Sequence, residues 1–506
     1  MVTLLRNSNQ ARGLAEFGIN FLKSAKPMRA VIQRLTLFHT DSVLCGLSSL
    51  ALNTNAPTIL RNEAHLYPRI PGAFCFGSEV EVSPEKAILA NCAAVREWDA
   101  NGTVFGYNPK LQGHDKGEYG HNDYYPVVVA AAQQNKLNGK QSLFGMLLLD
   151  EIRGRLCEVF SLRKHKIDHV VHGAVAATVT YGALMGANAE QIESALGLIL
   201  AHFIPFRAIR KGKELSDSKG SSAAFAAELA VIAVRRAMNG FEGPKDIFRN
   251  PDSIFGVFAN ANQNESPFDI YLSMEGDDFS VMDMHFKLGL YEHQSAGAIF
   301  SIISLIRNFT EILSSLDDIN EIKILCYKDA YAIIGDKDKN NPTNRQSADH
   351  SMVYIISTII RKAFEIKRNL DISSIETLWK QLMLTPYDYS EESIFHQQTR
   401  TIMQKIKFEH CAEYDKFYPK GIPSSISIKH KFGKYESGFV LYPPGHKENL
   451  GVDVINILME KFHLLGRIAL EFPVQCIEKL QNIDSFSAEE MRTIYNWKYK
   501  TSNYLM

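Results

Sequence analysis

The chain has 506 residues, 45% of them hydrophobic and 22% charged, with 55 basic against 56 acidic side chains. That is the composition of an ordinary globular protein, and the length exceeds what one core fills, so more than one domain is expected. A net charge of −1 with no basic stripe argues against nucleic acid or a membrane surface as a partner.

The seven cysteines, Cys45, Cys75, Cys92, Cys157, Cys326, Cys411 and Cys476, are scattered and odd in number, and no Cys-x-x-Cys occurs. This points to a reducing compartment and away from a disulfide framework or an iron–sulfur cluster. No His-Glu-x-x-His run is present, so no metal site is expected. The first thirty residues hold Arg6, Arg12, Lys23, Lys26 and Arg29 against the single acid Glu16. Such a start is compatible with a mitochondrial presequence. Leu14, Phe17, Phe21 and Leu22 nevertheless recur at helical spacing, so this stretch reads as a helix of the folded protein. The mitochondrial matrix or the cytoplasm is the expected compartment.

A helix is predicted over 28–52, and Ser83-Pro84-Glu85 opens another over 87–95. The second helix delivers the most informative stretch, 96–126. It crowds Glu97, Asp99, Asn101, Thr103, His114, Asp115, Glu118, His121 and Asp123 among glycines and aromatics. Acids, hydroxyls and imidazoles on a Gly-rich path are what a proton-transfer site on loops requires; a merely hydrophilic surface loop is the plainer reading. Helices follow over 127–134 and 142–160. An apolar pair over 169–186 and 189–203 is joined at Gly186-Ala187-Asn188. Residues 170–188 carry no Asp, Glu, Lys or Arg, but their histidine, threonines, tyrosine and glycines suit a buried helix better than a lipid-facing one.

A small-residue helix is predicted over 218–238. Lys219 at its start is unusual, because the helix dipole disfavours a cation there unless both act on one bound anion. Lys287 and His293 precede a helix over 295–309. Alternation over 322–334 reads as a strand, and 347–364 as one helix bearing Asp349, His350 and Tyr354. An amphipathic segment spans 399–408, and 426–428 with 439–442 read as a strand pair turning near Gly433. A helix over 450–470 and a capping box at Ser487–Glu490 close the chain. The expected fold is mainly α: a helical domain over 1–279, a smaller α+β domain over 280–446, and C-terminal helices over 447–506 rejoining the first. A cleft between two domains is the default place for a small-molecule site.

Taken in order, these motifs resemble the MmgE/PrpD family of 2-methylcitrate dehydratases and cis-aconitate decarboxylases, nearer the dehydratase branch. The resemblance rests on Arg96-Glu-Trp-Asp99-Ala-Asn101, Glu118-Tyr-Gly-His121 and Asp168-His169-Val170. Lys219, Phe286-Lys287, His293, Asp349-His350 with Tyr354, and Tyr442-Pro-Pro-Gly445-His446 extend it. It implies a helical domain with an α+β lid, a homodimer, no metal or organic cofactor, and a tricarboxylate or dicarboxylate substrate. It makes Asp99, His121, His169 and Lys219 catalytic and Thr103, Lys287, His293 and Tyr354 substrate-binding. The implied reaction is dehydration of 2-methylcitrate in propionate catabolism. Decarboxylation of cis-aconitate to itaconate, isomerisation of a related dicarboxylate, and a binding protein that has lost catalysis are the alternatives. Arg207 and Arg210 are further carboxylate-binding candidates. The interval from Asp99 to His121 is longer than in the dehydratases, Asn122-Asp123 replaces the usual Pro-Ser, and Gly102 replaces an acid. Thr103 at its distance from Asp99 resembles the decarboxylases. These departures place substrate choice in the insert over 104–117.

Overall fold

The computed structural model describes residues 1–111, 120–210, 215–259, 264–335 and 339–502. The helical part is built on Gln10–Ser24, Arg29–Ala51, Pro84–Arg96, Gly139–Val159, Val170–Leu184, Ala189–His202 and Asp217–Met238. Their starts are written locally. Asn9 accepts from the Arg12 N–H, Pro84 occupies a first-turn position, and Asn138/Gln141 and Asn188/Gln191 form reciprocal capping boxes. Asn188 therefore opens the helix after the turn, while Gly186, at φ +80°, takes the left-handed residue the turn needs.

Val170–Leu184 is the central helix, and every residue in it except Ala183 is buried. It packs against Gln10–Ser24, Gly139–Val159, Ala189–His202 and Asp217–Met238. Each buried Val contributes roughly 1.5–3 kcal/mol of transfer free energy, so an all-round apolar helix is stable only when enclosed like this. Among the described residues no single helix is long and apolar enough to cross a membrane. Arg29–Ala51 with Asn55–Ala64 would pass only as a pair bent by 92°.

The second half adds a four-stranded sheet in the order Ile406–His410, Ile319–Cys326, Ser424–His430, Gly433–Glu436. The first pair is parallel and the others antiparallel. Ala296–Asn308 packs on this sheet and on Met352–Glu365. The Val454–Ala469 helix packs back on Arg29–Ala51.

Four predicted elements change here. The strand over 322–334 is a strand only to Cys326, and Lys328–Ile334 is helical. The segment over 399–408 divides into the helix Gln397–Gln404 and the strand from Ile406. The partner of Ser424–His430 in the hairpin is Gly433–Glu436, while Val440 makes only a bridge to Ser424. The helix over 347–364 is broken: Arg345–Ala348 ends, and Ser351 caps a new helix, Met352–Glu365, by accepting from the Tyr354 N–H. Asp349 and His350 sit in the break, so they do not share a helix face with Tyr354.

Candidate active site

Four distant segments meet around Asp99. The Pro84–Arg96 helix ends and the chain extends into Thr103–Val104, which pairs with Gly120–His121. Thr103 also exchanges backbone hydrogen bonds with His285, at 3.1 and 2.8 Å, and the Tyr291 N–H donates to the Asp99 carbonyl at 3.0 Å. These pairings lay 99–104 alongside 285–291 and bring Lys287 onto the Asp99 carboxylate. The Glu292 N–H donates to the Asp349 carbonyl at 3.0 Å, which adds the helix break of the third segment. Lys219 arrives from the first turn of Asp217–Met238. Gly102 fits this crossing because a Cβ there would run into the Phe38 ring.

The Asp99 carboxylate is buried among three cations and an imidazole. Besides Lys287 it has Arg96 at 3.4 Å, Lys219 at 3.6 Å and His350 Nε2 at 3.4 Å. Burial by itself would raise its pKa, but Arg96, Lys287, Lys219 and His350 overcome that and hold it well below the usual carboxylate range. Lys219 Nζ also lies 2.7 Å from Asp349 Oδ1 and 3.0 Å from His350 Nδ1. The anion that explains a lysine at a helix start is thus the protein's own Asp349. Burial lowers the pKa of both lysines, while Asp349 and Asp99 pull Lys219 back up and Asp99 does the same for Lys287. Asp99, Asp349 and His350 converge closely enough to ligate a metal, yet the cation they already share is the Lys219 ammonium.

A cavity of ≈ 170 Å³ opens beside this cluster, far larger than the roughly 10–15 Å³ a single water needs. Asp99, Thr103, His169 and His293, of the residues expected from sequence, line it, as do Arg207 and Arg210. Lys219 and Lys287 stand behind Asp99 and do not line it. Tyr354 is not brought to the cavity: its hydroxyl donates to the Asp388 carbonyl at 2.5 Å within the packing. Of His121 only the backbone is described, and His114, Asp115 and Glu118 lie outside the described residues.

Charge and protonation around the cavity are uneven. Arg96, Arg207, Arg210 and Lys339 face it against the acids Asp99 and Glu292. Three lining histidines stay neutral. Burial pushes His169 and His350 down to about 3 despite adjacent aspartates, and burial with the Lys287 charge holds His293 well below its ordinary value. His169 Nδ1 lies 3.3 Å from Asp168, which Arg210 holds with two contacts at 2.7 and 3.2 Å. His293 Nε2 meets His285 Nδ1 at 3.3 Å, and its buried Nδ1 has no partner among the described residues.

Two positions escaped the sequence reading. Glu292 looks like a plain acid beside the conspicuous His293. Lys461 lies on a helix whose lysine would ordinarily face water. Its ammonium is instead buried, 2.7 Å from Asp41 and donating to the carbonyls of Ala100 at 2.7 Å and Lys287 at 3.0 Å. It ties together the two backbone stretches that carry Asp99 and Lys287. The only sequence signal was Asp41, the one acid in the Arg29–Ala51 helix.

A sequence profile of the MmgE/PrpD N-terminal domain matches residues 13–267, half of the chain. The chain belongs to the MmgE/PrpD family. Among similar proteins, the 2-methylcitrate dehydratase of Escherichia coli O157:H7 is 24% identical over 467 residues, 88% of this chain and 87% of its own. That of Salmonella typhimurium is 23% identical over 465 residues, with the same shares. The mitochondrial 2-methylcitrate dehydratase of Yarrowia lipolytica is 24% identical over 378 residues, 70% of this chain and 65% of its own. Family membership agrees with the mainly helical architecture.

Proposed function

We propose that this chain is a hydro-lyase that dehydrates a citrate-like tricarboxylate, with 2-methylcitrate as the leading substrate. The observation that carries the reading is the cavity in whose lining Arg96, Arg207, Arg210 and Lys339 outnumber Asp99 and Glu292. Cations in a low-dielectric site bind carboxylates and stabilise the enediolate-like charge that develops when a proton leaves next to one. The names of the similar proteins point the same way.

His169 is the base in this scheme. It is neutral at neutral pH, lines the cavity and is oriented by Asp168. Bound carboxylates would offset the arginine charges and raise its basicity. The C–H bond beside a substrate carboxylate breaks, its proton passes to the imidazole, and its electron pair forms the new double bond. The neighbouring C–O bond breaks and the oxygen leaves with its pair. Asp99, its charge balanced by its cations, fixes Lys219 and Lys287 behind the cavity wall, and His293 lines the cavity beside it.

Purified protein is incubated separately with 2-methylcitrate, citrate and cis-aconitate, following the conjugated double bond by absorbance and CO₂ by trapping. The expected outcome is dehydration of 2-methylcitrate without CO₂. No turnover of any of the three would sink the reading. The decarboxylase alternative rests on Thr103, which lines the cavity; CO₂ from cis-aconitate without dehydration would decide for it.

A further inference from the structure

We propose that Glu292 is the acid that protonates the departing hydroxyl, a role that rests on the dehydratase reading above. Elimination of water needs a proton donor on the cavity wall, and the other candidates are ill-suited. The three lining histidines are neutral and have no proton to give readily. The arginines hold theirs too tightly. Asp99 is ionised by the cations around it.

Glu292 differs from Asp99 in one decisive respect. It lines the same cavity, yet among the described residues it makes no ion pair. Its Oε2 accepts the Gln294 N–H at 2.7 Å, and its own N–H donates to the Asp349 carbonyl at 3.0 Å. The first bond fixes the carboxyl and the second fixes its backbone, and among the described residues no cation contacts the carboxyl to force it into the charged form. The charges that bear on it are the lining Asp99, Lys339, Arg96, Arg207 and Arg210, with Lys287 behind the wall. Burial and the Asp99 charge raise it to about 7, against the pull of Lys287, the Gln294 N–H and Lys339.

The step balances without a further reactant. As the C–O bond breaks, the Glu292 proton passes to the leaving oxygen and water departs. His169 is left protonated and Glu292 ionised. Return of that proton from the imidazole to the carboxylate, directly or through the released water, restores both groups. The acid works while protonated, so activity is present below its pKa and lost as pH rises through it. That places an alkaline limb near pH 7 in the rate profile.

The plainer role for Glu292 is a cap on the turn at His293–Ser295. Glu292→Gln separates the two, because the amide oxygen keeps the acceptor for Gln294 while no proton can be given. With 2-methylcitrate, this variant is expected to lose about 10²–10⁴-fold in kcat, with KM within about threefold of wild type, as expected when a group acts only in the transition state. Its alkaline limb should vanish, and its thermal midpoint should match the wild type. Glu292→Asp should recover part of the rate and the limb. Unchanged kcat, or a uniform loss that keeps the limb, would overturn the acid assignment while leaving the dehydratase reading intact. Wild-type protein inactive on every polycarboxylate tested would overturn both.

Discussion

Two buried lysine–carboxylate assemblies lie next to each other in this protein, and they do different things. In the first, the Lys461 ammonium donates to the carbonyls of Ala100 and Lys287 and forms an ion pair with Asp41. Its partners are one carboxylate and two backbone carbonyls, so its energy goes into holding two backbone stretches in register. In the second, Asp99 collects Lys287, Lys219, Arg96 and His350, and the excess of positive charge borders an open cavity. The closed assembly is complete as folded. On the function proposed above, the open one takes its remaining counter-charge from the substrate carboxylates, and that distinguishes a site from a structural ion pair.

The comparison can be broken at its open end first. Asp99→Asn leaves the cluster's cations without their shared counter-charge, and turnover of 2-methylcitrate should fall by about 10²–10³-fold; steady-state kinetics read this directly. Activity within a few-fold of wild type would show that the cluster is not part of the chemistry.

The closed end should fail in a different currency. Lys461→Met leaves Asp41 buried and unpaired, and urea unfolding should show a loss of roughly 3–5 kcal/mol. If the folded fraction then turns over substrate with unchanged kcat and KM, the Lys461 clamp is purely structural. A raised KM would show that it also sets the spacing of Asp99 and Lys287.

The smallest effect is expected outside both assemblies. Tyr354→Phe removes one hydrogen bond to a backbone carbonyl. It should cost roughly 0.5–1.5 kcal/mol of stability, with kinetics unchanged on 2-methylcitrate. A large rise in KM would return Tyr354 to the substrate-binding set.

Local signals made most of the helices legible from the sequence. Pro84, the Asn188 turn and the Ser487/Glu490 box mark starts and stops that depend on neighbouring residues alone. The buried character of Val170–Leu184 followed from its lack of charge. The second half was less legible. The 347–364 run keeps an apolar rhythm across a break that Ser351 makes by capping, so reading it as one helix misplaced Asp349 and His350 relative to Tyr354. The strand after Ile319 ends where Lys328 opens a helix of equally apolar residues.

The site was legible in its residue types more than in their roles. Asp99, Thr103, His169 and His293 do line one cavity. Lys219 and Lys287 were read as facing substrate because a lysine's partner cannot be seen in sequence when it lies 130 residues away, as Asp349 does from Lys219. Glu292 and Lys461 carried no motif, since the cavity one lines and the carbonyls the other meets form only on folding.

The central claim is that the cavity beside Asp99 removes water from a tricarboxylate. The most direct test follows 2-methylcitrate by proton NMR with wild type and Asp99→Asn in parallel, at equal concentrations of folded protein. The account predicts an unsaturated tricarboxylate accumulating with wild type and almost none with the variant. Equal accumulation in both, or no loss of water from 2-methylcitrate by wild type, would contradict it.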